Sequence, residues 1–98
     1  MITHIILFKL TDPTPQVIAA TRDLLLSMDG KIPQLLHLEV GVDLIHSPRS
    51  YDIALVTRFG SLDELSAYQV DAYHAGTIIP HMRSVSSSIV SADYESPY

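Results

Sequence analysis

The chain contains no cysteine, which removes a disulfide framework, a thiolate nucleophile and a Cys-type zinc site from consideration. Cations are sparse as well. Lys9, Arg22, Lys31, Arg49, Arg58 and Arg83 stand singly against eleven acidic side chains, for a formal charge of -5, so neither nucleic acid nor an anionic membrane is expected as a partner. No run approaches the roughly 20 consecutive apolar residues of a membrane span. The start, Met1-Ile2-Thr3-His4, lacks the charged region and cleavage site of a signal peptide, and a cytoplasmic location is the expectation. Gly-rich phosphate loops, a G-x-S-x-G elbow, His-x-x-x-His spacing and a paired-carboxylate pattern are also missing. Nucleotide-dependent, hydrolase, glycosidase and metal-centred readings therefore have no sequence signal, and no cofactor or metal is expected.

What is present is apolar. Hydrophobic residues make up 47% of the 98 residues and charged ones 17%, which predicts one globular domain over 1–98 with a single modest core. Ile2 to Leu10 is rich in β-branched and aromatic residues and stops at Thr11-Asp12-Pro13-Thr14-Pro15, where the prolines end any ladder; it reads as a strand. Val17, Ile18, Ala20, Leu24, Leu25 and Met28 recur at helical spacing, with Thr14 and Pro15 as N-cap and first-turn residue, so a helix over Gln16 to Met28 ends at Asp29-Gly30. Strict alternation from Leu36 to Ile45 predicts a strand with one wet face. Tyr51 to Phe59 predicts a third, apolar on both faces. Ser61-Leu62-Asp63-Glu64 is a capping box and starts a second helix with Leu62, Leu65, Tyr68 and Ala72 inward. Gly76 is available to stop it, and a further helical turn from Thr77 to Arg83 is expected to be interrupted by Pro80. Ser86 to Tyr94 alternates and forms the last strand.

The order βαββαβ predicts a ferredoxin-like α+β sandwich with strands one and three central in an antiparallel sheet. Two helices cover only one face of such a sheet, yet strands one and three are apolar on both. The open face therefore calls for a second copy of the chain, a homodimer whose sheets meet to form a dimeric α+β barrel.

Five histidines occur, and histidine is the side chain that exchanges protons near neutral pH. His37 beside Glu39 and His46 in a turn read as surface residues, and His81 after Pro80 is ambiguous. His4 shares a strand face with Ile2, Ile6 and Phe8, where a polar group needs a partner; a core histidine held by a hydrogen bond and a catalytic one fit that position equally. Tyr68 and His74 are six residues apart, about 120° around an unbroken helix, and meet only where the helix bends or ends between them.

His4-Ile5-Ile6-Leu7-Phe8-Lys9, Gly41, Tyr51 through Phe59 with Gly60-Ser61, Leu65-x-x-Tyr68, His74 and Asp93-Tyr94 together resemble the stress-responsive A/B barrel (Dabb) family over nearly the whole chain. The resemblance implies the same dimeric barrel. For activity it implies two things, since many members are stress-linked proteins without assigned chemistry while the plant olivetolic acid cyclase is a cofactor-free polyketide cyclase. In that cyclase a strand-one histidine, a helix tyrosine and a histidine six residues later line the pocket, matching His4, Tyr68 and His74 here. This chain departs from the pattern at Asp71-Ala72, where the family has His-Pro, and at Ile53, where the cyclase has another pocket histidine. Three functions follow as expectations: a binding protein for a small apolar or polyketide-like ligand; a cofactor-independent cyclase, lyase or isomerase with His74 and Tyr68 as acid/base pair and His4 on the substrate oxygen; and a cofactor-free monooxygenase, as in related dimers. Leu24, Met28, Val40 and Ile53 are the expected apolar lining of the pocket.

Overall fold

The computed structural model describes residues 1–97. The chain runs through β1 (Ile2–Leu10), α1 (Pro15–Leu26), β2 (His37–Val42), β3 (Ile53–Phe59), α2 (Leu62–Val70), a π-helical turn (His74–Ile78), α3 (Ile79–Val85) and β4 (Ser86–Glu95). Its four strands form one antiparallel sheet in the order β2-β3-β1-β4. The architecture is ferredoxin-like, with β1 and β3 central as the element order predicts.

Local chemistry sets the element ends. The Thr14 hydroxyl accepts from the Val17 amide at 3.2 Å and Pro15 opens α1. The helix stops at Leu26, two residues short of Met28, and the chain turns through Gly30 at φ 77, a conformation that favours glycine. The alternation that predicts β2 as far as Ile45 outlasts the strand, which ends at Val42. Asp43 Oδ2 accepts from the His46 amide at 2.7 Å, and His46 takes a positive φ. This side-chain turn competes with the ladder and leaves Leu44 and Ile45 exposed. β3 likewise begins at Ile53 rather than Tyr51: the Asp52 amide still donates to the Phe8 carbonyl at 2.9 Å, but the Leu10 amide donates to the Asp52 carboxylate at 2.7 Å instead of continuing the backbone ladder.

The α2 cap is as expected, with Ser61 Oγ accepting from the Glu64 amide at 3.2 Å. Leu65 and Tyr68 point inward, but Leu62 and Ala72 are exposed, and Gly76 does not stop the helix. The break comes at Asp71, whose backbone leaves the helical region and whose Oδ1 accepts from the amides of Tyr73 (2.9 Å) and His74 (3.3 Å). An acceptor at that point ends one helix and caps the next. Pro80 sits in the first turn of α3, where its missing amide hydrogen is harmless.

The sheet's two faces differ. Ile2, His4, Ile6, Phe8 and Leu10 of β1, with Ile53, Leu55, Thr57 and Phe59 of β3, face the helices. α1 packs over β2 and β3, whereas α3 packs over β4. The opposite face, with Ile5, Leu7, Ala54 and Val56 in its centre and exposed Val90 and Tyr94 on β4, has no helix over it among the described residues. No helix among the described residues is long and apolar enough to cross a membrane.

Candidate functional site

His4 projects from the middle of β1 toward the helices and is buried. Its cross-strand neighbour on β4 is Asp93, and its Nδ1 hydrogen-bonds to Asp93 Oδ1. A carboxylate only accepts, so Nδ1 carries the hydrogen and the Nε2 lone pair is left over. Thr57 Oγ1 donates to the His4 carbonyl at 3.4 Å, tying β1 to β3 at the same level.

The break at Asp71 reverses what an unbroken helix dictates for His74. Redirected through the π-helical turn, its ring stacks on Tyr68 with centroids 4.0 Å apart and planes 30° apart. Single π turns of this kind recur at functional sites. Tyr68 in turn stands edge-on to His4 at 6.2 Å and packs on Phe59 at 4.8 Å. His74 Nδ1 donates to the Gln69 carbonyl at 3.4 Å, which again leaves Nε2 as the acceptor. Burial pushes the His74 pKa below the ordinary histidine value, and the neighbouring His4 adds to that shift, opposed by the Gln69 hydrogen bond.

Tyr68 is in the cluster but not at the cavity. It is fully buried, its hydroxyl donates to Met28 Sδ at 3.7 Å, and burial raises its pKa. The phenol thus faces the core, and the ring acts as the pillar against which both imidazoles are set. The open space beside the two histidines is a cavity of about 370 Å³ between β1, β4 and the α2–α3 segment, walled by Ile6, Phe8, Leu55, Ile78 and Met82. Gln69, Ser91, Arg83 and Ile89 also line it.

The expected apolar lining is elsewhere. Met28 and Ile53 are fully buried, with Leu24 and Val40 packed against the same core cluster, and none of these residues lines the cavity. α1 lies over the β2–β3 half, where these side chains pack together, which leaves the opening over β1 and β4. His37 and His46 sit beside Glu39 and Asp43 at 3.6 Å each, on the surface as expected. Among the described residues no group of three or more His, Asp or Glu side chains is placed to hold a metal ion. Gln69, Ser91 and Arg83 carry no sequence signal, and Asp93 stands out in the sequence only within the closing Asp93-Tyr94 pair, without a role. Only the β1–β4 register brings Asp93 to His4, and that register spans nearly the full length of the chain.

A model of the stress-responsive A/B barrel domain matches residues 2–96. The chain belongs to this family. No curated protein matches the sequence of this A/B barrel chain. Among solved structures it is similar to a dimeric protein of unknown function with a ferredoxin-like fold from Bacteroides fragilis, at 27% identity and TM-score 0.79 over 96% of this chain and 94% of that one. A dimeric ferredoxin-like protein of unknown function from Thermobifida fusca matches at 26% identity and TM-score 0.83, covering 95% and 88% of the two chains. The hydroxynitrile lyase of Passiflora edulis shares the fold at 16% identity and TM-score 0.72, over 95% of this A/B barrel chain and 90% of the lyase.

Proposed function

We propose that this A/B barrel protein is a cofactor-independent acid–base catalyst of the lyase or isomerase type, acting on a small, largely apolar molecule with an enolisable carbonyl. The observation that carries the reading is the pairing of two imidazoles at one cavity in unlike surroundings. His74 is desolvated, which lowers its pKa and favours the neutral imidazole, while His4 is backed by the Asp93 carboxylate. The desolvated imidazole suits the role of base and the carboxylate-backed one that of hydrogen-bond donor to a developing charge. His74 Nε2 takes the proton next to the carbonyl. His4 in its protonated form, its charge balanced by Asp93, donates from Nε2–H to the oxygen on which charge develops. Tyr68 holds the two rings in place without exchanging protons. Gln69 and Ser91 offer further polar contacts to a bound oxygen. The Passiflora neighbour, a hydroxynitrile lyase by name, is an enzyme on the same fold, and the chemistry proposed here rests on the side chains rather than on that likeness.

The assembly we propose is a homodimer through the open sheet face. The supporting observations are the uncovered apolar centre around Leu7 and Val56 and the description of the Bacteroides and Thermobifida relatives as dimeric.

The test is a panel of enolisable ketones, β-keto acids and α-hydroxy nitriles incubated with the protein in D2O without added cofactor and with a chelator, followed by NMR. Deuterium incorporation or bond cleavage above the buffer rate is expected for at least one apolar member. Tight binding across the panel with no exchange and no cleavage rejects catalysis in favour of a ligand-binding protein.

A further inference from the structure

The acid–base reading leaves one lining group of the cavity without a task. Arg83 is exposed on α3 and lines the cavity, and among the described residues no carboxylate pairs with it. In a chain of net charge -5, an unpaired guanidinium beside an apolar cavity is a specific feature of that cavity.

Two routes through the fold place Arg83 at the end remote from the imidazoles. Along β1, His4 and Phe8 are four residues apart, about 13 Å at strand rise, and Phe8 is in register with Ile89 just beyond the α3–β4 junction. Along the helical segment, nine residues from His74 to Arg83 span about 14 Å. The stretch between the two ends is walled by Ile6, Leu55, Ile78 and Met82. A proton-transferring end, an apolar middle and a cationic end therefore follow one another in a single cavity.

We infer that the ligand is an amphipathic monocarboxylate: its acyl chain lies along the apolar wall, its carboxylate pairs with Arg83, and its enolisable carbonyl, remote from the carboxylate, lies at His4 and His74. This inference rests on the acid–base reading for the carbonyl end only. The planar guanidinium matches a carboxylate in a two-point geometry that an amide cannot reproduce. In the reaction, the C–H bond next to the carbonyl breaks, the proton goes to His74 Nε2 and the electron pair moves to the oxygen facing His4. In D2O the imidazole exchanges with solvent and returns a deuteron to the same carbon.

The test has a binding arm that needs no turnover. Octanoate, octanamide and acetate are titrated into the full-length protein and into Arg83→Gln, followed by amide NMR. In the wild type, octanoate is expected to bind about fivefold more tightly than octanamide, the effect of one solvent-exposed ion pair, and to shift resonances of Ile6, Phe8 and Ile89. Acetate, lacking the chain, leaves those resonances in place, and Arg83→Gln erases the preference. Equal affinity for octanoate and octanamide in the wild type, or a preference that survives Arg83→Gln, overturns the inference. A second arm follows deuterium exchange in a methyl-keto fatty acid and its amide. A preference for octanoate with no exchange in the keto acid refutes the acid–base reading and upholds the carboxylate site. Exchange at equal rates in acid and amide does the reverse.

Discussion

Replacing Tyr68 by phenylalanine removes one hydroxyl from the centre of the molecule and separates two roles for this side chain. An acid/base role needs the phenol at the substrate, whereas the structure gives the hydroxyl to Met28 Sδ at 3.7 Å and leaves the residue without exposed surface. A typical intramolecular hydrogen bond contributes about 0.5–1.5 kcal/mol net, and a thioether is a weak acceptor, so the loss should fall near the lower end of that range. The Phe ring keeps the stacking on His74 and the contact with Phe59. For a domain of this size the change corresponds to a few degrees in Tm. Tyr68→Ala, by contrast, opens a cavity that costs about 3–5 kcal/mol, a large share of the roughly 5–15 kcal/mol that holds such a domain together, and releases both imidazoles. The assay pairs thermal unfolding with the α-proton exchange rate on the best substrate of the panel. Tyr68→Phe is expected to keep its exchange rate within a few fold of wild type. A fall of about a hundredfold or more, the size expected for a lost general acid or base, with unfolding unchanged, would show the phenol in the transition state and refute the account of Tyr68 as a pillar.

Further outcomes follow from the same geometry. Because burial lowers the His74 pKa, the unfolded chain binds more protons than the folded one below about pH 6.5, so stability declines as pH falls through that region. Urea unfolding at neutral pH and near pH 5 should show a smaller decline for His74→Gln than for wild type, and equal declines contradict the desolvated imidazole. Asp93→Asn keeps the shape but loses the charge opposite His4. The difference between charge-assisted and neutral hydrogen bonds, about 1–1.5 kcal/mol, predicts about a tenfold lower rate with a folded protein by circular dichroism. Light scattering of the wild type should give about twice 10.8 kDa, and Leu7→Asp or Val56→Asp should lose the dimer, since each buries an unpaired charge against the partner sheet. A wild-type monomer at micromolar concentration contradicts the proposed interface.

The fold was legible because its signals are local and periodic. Alternation in β2, two-sided apolar β1 and β3, the Thr14 and Ser61 caps and the order of elements suffice for a four-stranded sheet with β1 and β3 central. Strand ends were not legible where an aspartate side chain takes over an amide, as Asp43 and Asp52 do, since a periodic pattern continues past the last ladder bond. The site was legible in part. The two-residue period placed His4 on the helix side, and the resemblance supplied Tyr68 and His74. Whether His74 joins them depends on the break at Asp71, an aspartate in a helical run, whereas the sequence offered Gly76 as the stop. The depth of Tyr68, with its hydroxyl in the core, and the position of the cavity over β1 and β4 depend on which helix covers which strands, and helical periodicity is silent on that. For that reason the sequence alone puts Leu24, Met28, Val40 and Ile53 at the cavity, whereas they pack in the core beneath α1. Asp93 required the pairing of the first and last strands, a contact across 89 residues.

The central claim is that the imidazole pair beside the cavity performs proton transfer, and the ratio of α-proton exchange rates between His74→Ala and His37→Ala tests it most directly. His37 lies on the surface beside Glu39, so its variant should exchange at the wild-type rate, while His74→Ala, with its general base gone, should be slower by about 10²-fold to 10⁴-fold. Equal rates in the two variants, with both folded, would contradict the account.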